Sequence, residues 1–220
     1  MFAYTANGEL ESKTNTTSGD ITGYVYDAFG NLKRVDLPSG DTVEYLIDGQ
    51  NRRVAKKKNG VPMKQWLYRD QTHPLAELDG AGHLLSTFVY ATGKNVPDYL
   101  LSQNGSAMRI FSDQVGSPRL IVDATTGAVQ QRMRHDEFGV ITEDTSPGFT
   151  PFGFAGGLYD PDSGLVRFGA RDYDPVVGRW ISKDPILFDG DGPNLYGYVL
   201  NDPVNRIDLS GEGFVDCGKA

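Results

Sequence analysis

Cysteine is nearly absent from this 220-residue chain. Cys217 is the only one, which excludes a disulfide framework and a cysteine-rich zinc site. Histidine is almost as scarce: His73, His83 and His135 lie far apart in turn or repeat positions, so no metal centre and no cofactor is expected. Long apolar runs are missing. The longest, Phe88-Val89-Tyr90-Ala91, is four residues, and no membrane-spanning segment is expected. Met1-Phe2-Ala3-Tyr4-Thr5 has neither a basic start nor an apolar stretch, so no signal peptide is expected. Positive charge is in deficit, with 21 Lys and Arg against 29 Asp and Glu and a net charge of −8, which argues against duplex nucleic acid as a partner. The one basic run, Lys56-Lys57-Lys58 before Asn59-Gly60, reads as a solvated hairpin end. No stretch carries strong helical periodicity, and only short helical turns near Asn194-Leu195-Tyr196 are expected.

Glycine and aromatics are abundant: 27 Gly, 11 Tyr and 11 Phe. That mix suits short strands joined by tight turns, and a 39% hydrophobic share argues against disorder. The chain repeats itself every 21 to 23 residues. The template is Tyr24-Val25-Tyr26-Asp27-Ala28-Phe29-Gly30-Asn31-Leu32. Its Asp position recurs through Thr5, Asp27, Asp48, Asp70, Ala91, Asp113 and Asp136. Three residues earlier stand Phe2, Tyr24, Tyr45, Leu67, Phe88, Ile110 and Met133, all large and apolar; three residues later stand Gly8, Gly30, Asn51, His73, Lys94, Gly116 and Gly139. Alternating large residues make a strand with one buried face. Asp starts a turn by bonding its own backbone, and Gly or Asn completes it. Further turns at Ser39-Gly40, Asn59-Gly60, Asp79-Gly80, Asn104-Gly105 and Thr126-Gly127 close each unit. The expected fold is all-β: successive antiparallel hairpins of about 22 residues forming a curved, spiralling sheet.

The rhythm stops near Thr150. Four Asp-Pro pairs follow, at 160, 174, 184 and 202, marking a turn-rich segment. Glu143-Asp144-Thr145-Ser146-Pro147-Gly148 is the natural boundary between hairpins over 1–145 and a second segment over 146–212. Asp160-x-Asp162-x-Gly164 has the start of a calcium loop, but its twelfth position is Arg171 rather than a bidentate acid. Cys217 has no local partner. Asn15-Thr16-Thr17 and Asn104-Gly105-Ser106 match a glycosylation pattern that arises often by chance.

Tyr24 to Val35 resembles the YD repeat of the RHS family. Gly164-Leu165-Val166-Arg167-Phe168-Gly169-Ala170-Arg171-Asp172-Tyr173-Asp174-Pro175, Gly178-Arg179-Trp180-Ile181-Ser182-Lys183-Asp184-Pro185 and Asn194-Leu195-Tyr196-Gly197-Tyr198 resemble its repeat-associated core domain. The resemblance extends to polymorphic toxins, the C component of ABC toxins, wall-associated proteins and, more distantly, teneurins. It implies a hollow β shell plugged by the core, outside the cell or at its surface. A toxin would follow in cis, with a cognate immunity protein, and be cut free by an aspartyl autoprotease within the core. By resemblance Arg171 and Asp184, thirteen residues apart, are the catalytic Arg and Asp, with Asp208 a weaker second carboxylate. The closing motif, Asp-Pro-x-Gly-Leu in the family, reads Asp208-Leu209-Ser210-Gly211-Glu212 here; cutting is expected between Glu212 and Gly213, with 213–220 opening the variable region. Leu209 for Pro loosens a turn, and Glu212 places an acid where an apolar residue normally precedes the cut. Two close carboxylates in a shielded site share a proton, as aspartyl proteolysis requires, yet Arg171 and Asp184 read equally as a structural ion pair. A non-catalytic module recognising a glycan or cell-surface receptor through its aromatics is the alternative. The sequence begins inside a repeat, which reads as a piece of a longer protein. Seven hairpins are too few to close a shell, so edge-to-edge homo-oligomers are expected.

Overall fold

The computed structural model describes residues 1–93, 95–190 and 192–217; Lys94 and 218–220, which the repeat register and the variable region included, lie outside the described residues. Fourteen strands, from Phe2–Tyr4 to Ile141–Asp144, form one open sheet in simple sequence order. Every neighbouring pair is antiparallel. The all-β hairpin architecture is therefore the fold, and the open sheet leaves the first and last strands as edges.

The turn chemistry explains the repeat. Asp27 Oδ1 accepts from Phe29 N and Asn31 N at 2.9 and 3.0 Å. Asp48 does the same for Gln50 and Arg52, Asp113 for Val115 and Ser117, and Asp136 for Phe138 and Val140. Each turn then needs one left-handed residue. Gly30, Gly116 and Gly139 supply it at φ +80, +93 and +94°, and Asn51 at +60°. Tyr24, Tyr45, Phe88 and Ile110 are all buried, as their shared place in the repeat demands.

Three readings of the repeat need correction. The fourth turn begins at Arg69, whose N–H donates to His73 O, so the register position there is 69 rather than Asp70. Trp66, three residues before it, is consequently the buried residue, while Leu67 is 55% exposed. Phe2 is exposed as well, on the edge strand. In the 79–83 turn the left-handed glycine is Gly82, not Gly80. Lys56-Lys57-Lys58 is not simply a solvated end: strand alternation turns Lys56 inward, where it is buried against Asp160 and Asp162, and Lys58 reaches Asp162 at 2.7 Å.

Beyond Asp144 the chain folds back over one face of the sheet. A second sheet of four short strands, Leu158–Tyr159, Val166–Phe168, Arg171–Asp174 and Arg179–Trp180, forms its centre. Short 3₁₀ turns lie at Phe154–Gly156, Leu187–Asp189 and Val199–Asn201, and the expected turn at Asn194-Leu195-Tyr196 is closed by Gly197 N donating to Asn194 O at 3.1 Å. Phe154, Phe168, Tyr173, Trp180 and Tyr198 pack into an aromatic core; the Tyr173 and Tyr198 centroids are 4.5 Å apart. Two further core clusters are shared: Leu165 and Ile181 with Tyr24, Leu32 and Tyr45 of the sheet, and Phe152 and Leu158 with Trp66, Phe88 and Ile110.

Gly30 and Gly139 separate two costs. A Cβ on Gly30 meets only the end of the Glu9 side chain at 3.7 Å, whereas one on Gly139 falls 2.3 Å from the Phe154 ring. Gly30→Ala should cost about 1–2 kcal/mol, the left-handed penalty alone. Gly139→Ala should cost clearly more, because the plug aromatic must shift. Urea unfolding of both variants checks this, and equal losses would contradict it.

Candidate functional site

The four-residue strand Arg171–Asp174 is buried along its whole length, which is unusual for a run with three charges. Alternation sends Asp172 and Asp174 toward the large sheet, where Arg53 and Lys13 meet them at 2.6 Å each. Arg171 and Tyr173 point the other way, into the plug.

Arg171 is 2% exposed and is the hub of the site. Its Nη2 lies 2.8 Å from Asp184 Oδ2 and 3.2 Å from Asp208 Oδ2. Its Nε donates to the Gly211 carbonyl, and Nη1 donates to Leu195 O at 3.3 Å. The guanidinium lies over the Trp180 ring, 4.2 Å from its centroid. Asp184 sits just after the Arg179–Trp180 strand and caps the next turn, with Ile186 N donating to Oδ1 at 3.0 Å. Asp208 is fully buried. Its Oδ1 accepts from Gly211 N at 2.8 Å, Ser210 Oγ at 3.1 Å and Glu212 N at 3.2 Å. Asp208 thereby fixes the turn that delivers Glu212. Gly190 closes the arrangement: a Cβ there would stand 3.0 Å from Asp184 Oδ2 and 3.2 Å from the Glu212 carbonyl oxygen. The Asp184 carboxylate and the Glu212 carbonyl thus border one small space that only glycine leaves open. After Gly213 the chain returns, and Val215–Asp216 pairs with Arg206–Ile207, while Phe214 and Cys217 pack on the plug core.

Burial raises the Asp184 carboxyl above its ordinary value, and the nearby Asp208 charge adds to this, against the opposing pull of Arg171 and the Ile186 N–H. All three sequence-singled residues, Arg171, Asp184 and Asp208, are brought together, with Glu212 and Gly213 beside them. The repeat-turn residues Asp27, Gly30, Asp48, Asp113, Gly116, Asp136 and Gly139 stay at their turns. Asp160 and Asp162 hold Lys56, and Tyr45 donates its hydroxyl to Asp160 Oδ2 at 2.5 Å, so both acids have protein partners. His73 and His83 face Asp70 and Asp79 of their own turns. His135 lies beside Phe154, centroids 6.4 Å apart, and burial pushes its imidazole down. Burial pushes the Cys217 thiol up. Sequence reasoning missed Trp180 as the face beneath Arg171 and Gly190 as the opening. Both stand in turn-rich sequence whose spacing carries no period to read.

The long sheet of YD hairpins with a plug folded against it is the architecture of a YD shell segment. A family profile described as teneurin YD-shell matches residues 1–204, and the chain belongs to that family. Zebrafish teneurin-3 is 32% identical over 198 residues, covering 84% of this chain. Mouse teneurin-3 is 34% identical over 84% of the chain, and Drosophila teneurin-m 37% over 73%. The chain spans only 7% of the length of the two teneurin-3 proteins and 6% of teneurin-m. A crystal structure of TcdB2-TccC3-TEV superposes with a TM-score of 0.71 at 21% identity, over 94% of this chain and 11% of that one. A Photorhabdus luminescens Tc holotoxin pore superposes at 0.65 and 16% identity, over 96% and 13%. At these identities the likeness is one of fold.

Two substitutions separate the carboxylates. Asp208→Asn weakens four accepted hydrogen bonds at a fully buried site and should cost about 3 kcal/mol or more. Asp184 holds its proton to higher pH in the folded chain than in the unfolded one. Its contribution is full below the unfolded value, about 3.9, and is lost as pH rises through the folded value. Asp184→Asn should therefore gain stability relative to wild type between pH 4 and pH 7. Urea unfolding at both pH values tests the sign, and a relative loss toward pH 7 would contradict it.

Proposed function

We propose that the chain is the closing end of a YD shell, with 1–145 as shell hairpins, 146–212 as plug and 213 onward as the start of a segment carried in cis. In this reading the plug cuts the chain between Glu212 and Gly213. The observation that carries the proposal is the small space over Gly190, which the Asp184 carboxylate and the Glu212 carbonyl oxygen both border. Asp184, ionised, takes a proton from water as the oxygen adds to the Glu212 carbonyl carbon. The protonated Asp184 then returns that proton to the Gly213 nitrogen as the C–N bond breaks, leaving a carboxyl end and an amine end. Arg171 orients Asp184 and balances its charge. Asp208 positions Glu212 through the accepted N–H bond, so it serves geometry more than proton transfer. Burial, which raises the Asp184 carboxyl, moves its working pH upward from that of an ordinary aspartate. The strand at 215–216 would hold the cut piece until it unpairs. An immunity protein for a released toxin, delivery outside the cell and pairing at the two open sheet edges belong to the same reading.

A second reading has specific support. Arg171 makes two of its bonds to backbone carbonyls, and Asp208 is occupied by four donors, as a static latch would be. The relatives similar in sequence are teneurins. In this reading the chain is a surface-recognition module for a glycan or protein receptor, and nothing is cut.

The test is a fusion with a stable reporter domain after Ala220. Wild type should give two bands over hours, with an N-terminal glycine on the reporter fragment, and Asp184→Asn should give one. The rate should rise with pH through a midpoint above about 4. A single band in wild type from pH 4 to pH 8 favours the latch, and equal cutting by both proteins removes Asp184 from the chemistry.

A further inference from the structure

Arg53 and Arg167 are buried side by side at the seam between sheet and plug, 2% and 4% exposed. They share one carboxylate. Arg53 Nη2 donates to Asp172 Oδ1 at 2.6 Å, and Arg167 Nη1 donates to Asp172 Oδ2 at 2.9 Å. Arg167 Nη2 finds only neutral acceptors, Asn51 O at 2.9 Å and Asn31 Oδ1 at 3.3 Å. The Nε of each arginine is buried with no hydrogen-bond partner. Two guanidinium groups share this carboxylate; the Asp160 charge also acts on Arg53, so the thinner balance is at Arg167, where water cannot screen the charge. The two arginines respond oppositely: burial, and then the Arg53 charge, push the Arg167 guanidinium below its ordinary value against the pull of Asp172, whereas at Arg53 burial is outweighed by Asp172, Tyr45 and Asp160, which hold it above its own.

The same pair lines a cavity of about 30 Å³. Arg52 joins them at its wall, with Tyr68, His73 and Gly157, and none of the described lining residues is an Asp or Glu. Arg52 is already paired with Asp48 at 2.7 Å, so the charge not matched one to one is that of Arg53 and Arg167, which share Asp172. The cavity's size admits one atom or a very small ion rather than an organic molecule.

We propose that this cavity is a site for a small monovalent inorganic anion, chloride being the physiological member of the class. The anion supplies the negative charge that Arg167 lacks and ties the Arg53 strand of the sheet to the Val166–Phe168 strand of the plug. The proposal is independent of any cutting at Asp184.

The experiment compares thermal unfolding of the whole chain in sodium chloride and in sodium gluconate at equal ionic strength. Gluconate is too large for the cavity. Chloride should raise Tm saturably, by about 3–5 °C at tenfold its dissociation constant. Arg167→Gln should abolish that difference, while the exposed Arg34→Gln should retain it. Crystals soaked in bromide should show an anomalous peak between Arg53 and Arg167, which decides the matter even if Arg167→Gln fails to fold. Equal Tm in both salts, with no bromide peak, overturns the proposal, as does an undiminished chloride effect in a folded Arg167→Gln.

Discussion

Cations of the sheet meeting buried carboxylates of the plug are the contacts on which the rest of this fold depends. Lys13 reaches Asp174, Arg53 reaches Asp172 and Lys56 reaches Asp160, at 2.5 to 2.6 Å. None of these pairs is local; they join residues more than a hundred positions apart. A buried charge without its partner costs several kcal/mol, so neither half can be withdrawn cheaply from the other. An open sheet of consecutive hairpins buries only one face, and the plug completes that face. Apolar packing supplies the bulk of the attraction, through clusters that mix sheet and plug residues. The ion pairs set where the plug sits.

That placement reaches the candidate site through one strand. In Arg171–Asp174, residues 172 and 174 engage the sheet, and residues 171 and 173 face the plug interior. Fixing Asp172 on Arg53 therefore fixes Arg171, and Arg171 in turn gathers Asp184, Asp208, Leu195 and Gly211 from three separate turns. The arginine pair at Asp172 lies on the sheet side of the same strand. Charge at the seam and geometry at the Glu212 carbonyl are thus two faces of one four-residue segment.

Much of the sheet was legible because its determinants are local. An Asp that bonds its own turn and a glycine with positive φ are readable from neighbouring residues. Where the turn used different chemistry, the reading slipped by one: Asp70 caps its turn through Thr72 N and His73 N, yet the turn opens at Arg69. Lys56 was misread for a different reason. Its burial depends on Asp160 and Asp162 from a segment with no repeat, and nothing within its own hairpin announces them. Arg171, Asp184 and Asp208 were found by resemblance to a known motif. The roles of Trp180, Gly190 and Arg167 come from contacts between turns distant in sequence, which carry no spacing rule.

The central claim is that sheet and plug form one cooperative unit held by the charged seam. The two tryptophans divide neatly between them, Trp66 in the sheet and Trp180 in the plug. In the Trp66→Phe protein, fluorescence reports the plug alone, while far-ultraviolet circular dichroism reports mainly the fourteen-stranded sheet. Urea unfolding followed by both signals should give coincident transitions with one midpoint and one slope. A Trp180 transition complete at lower urea, with the sheet signal still native, would contradict the account.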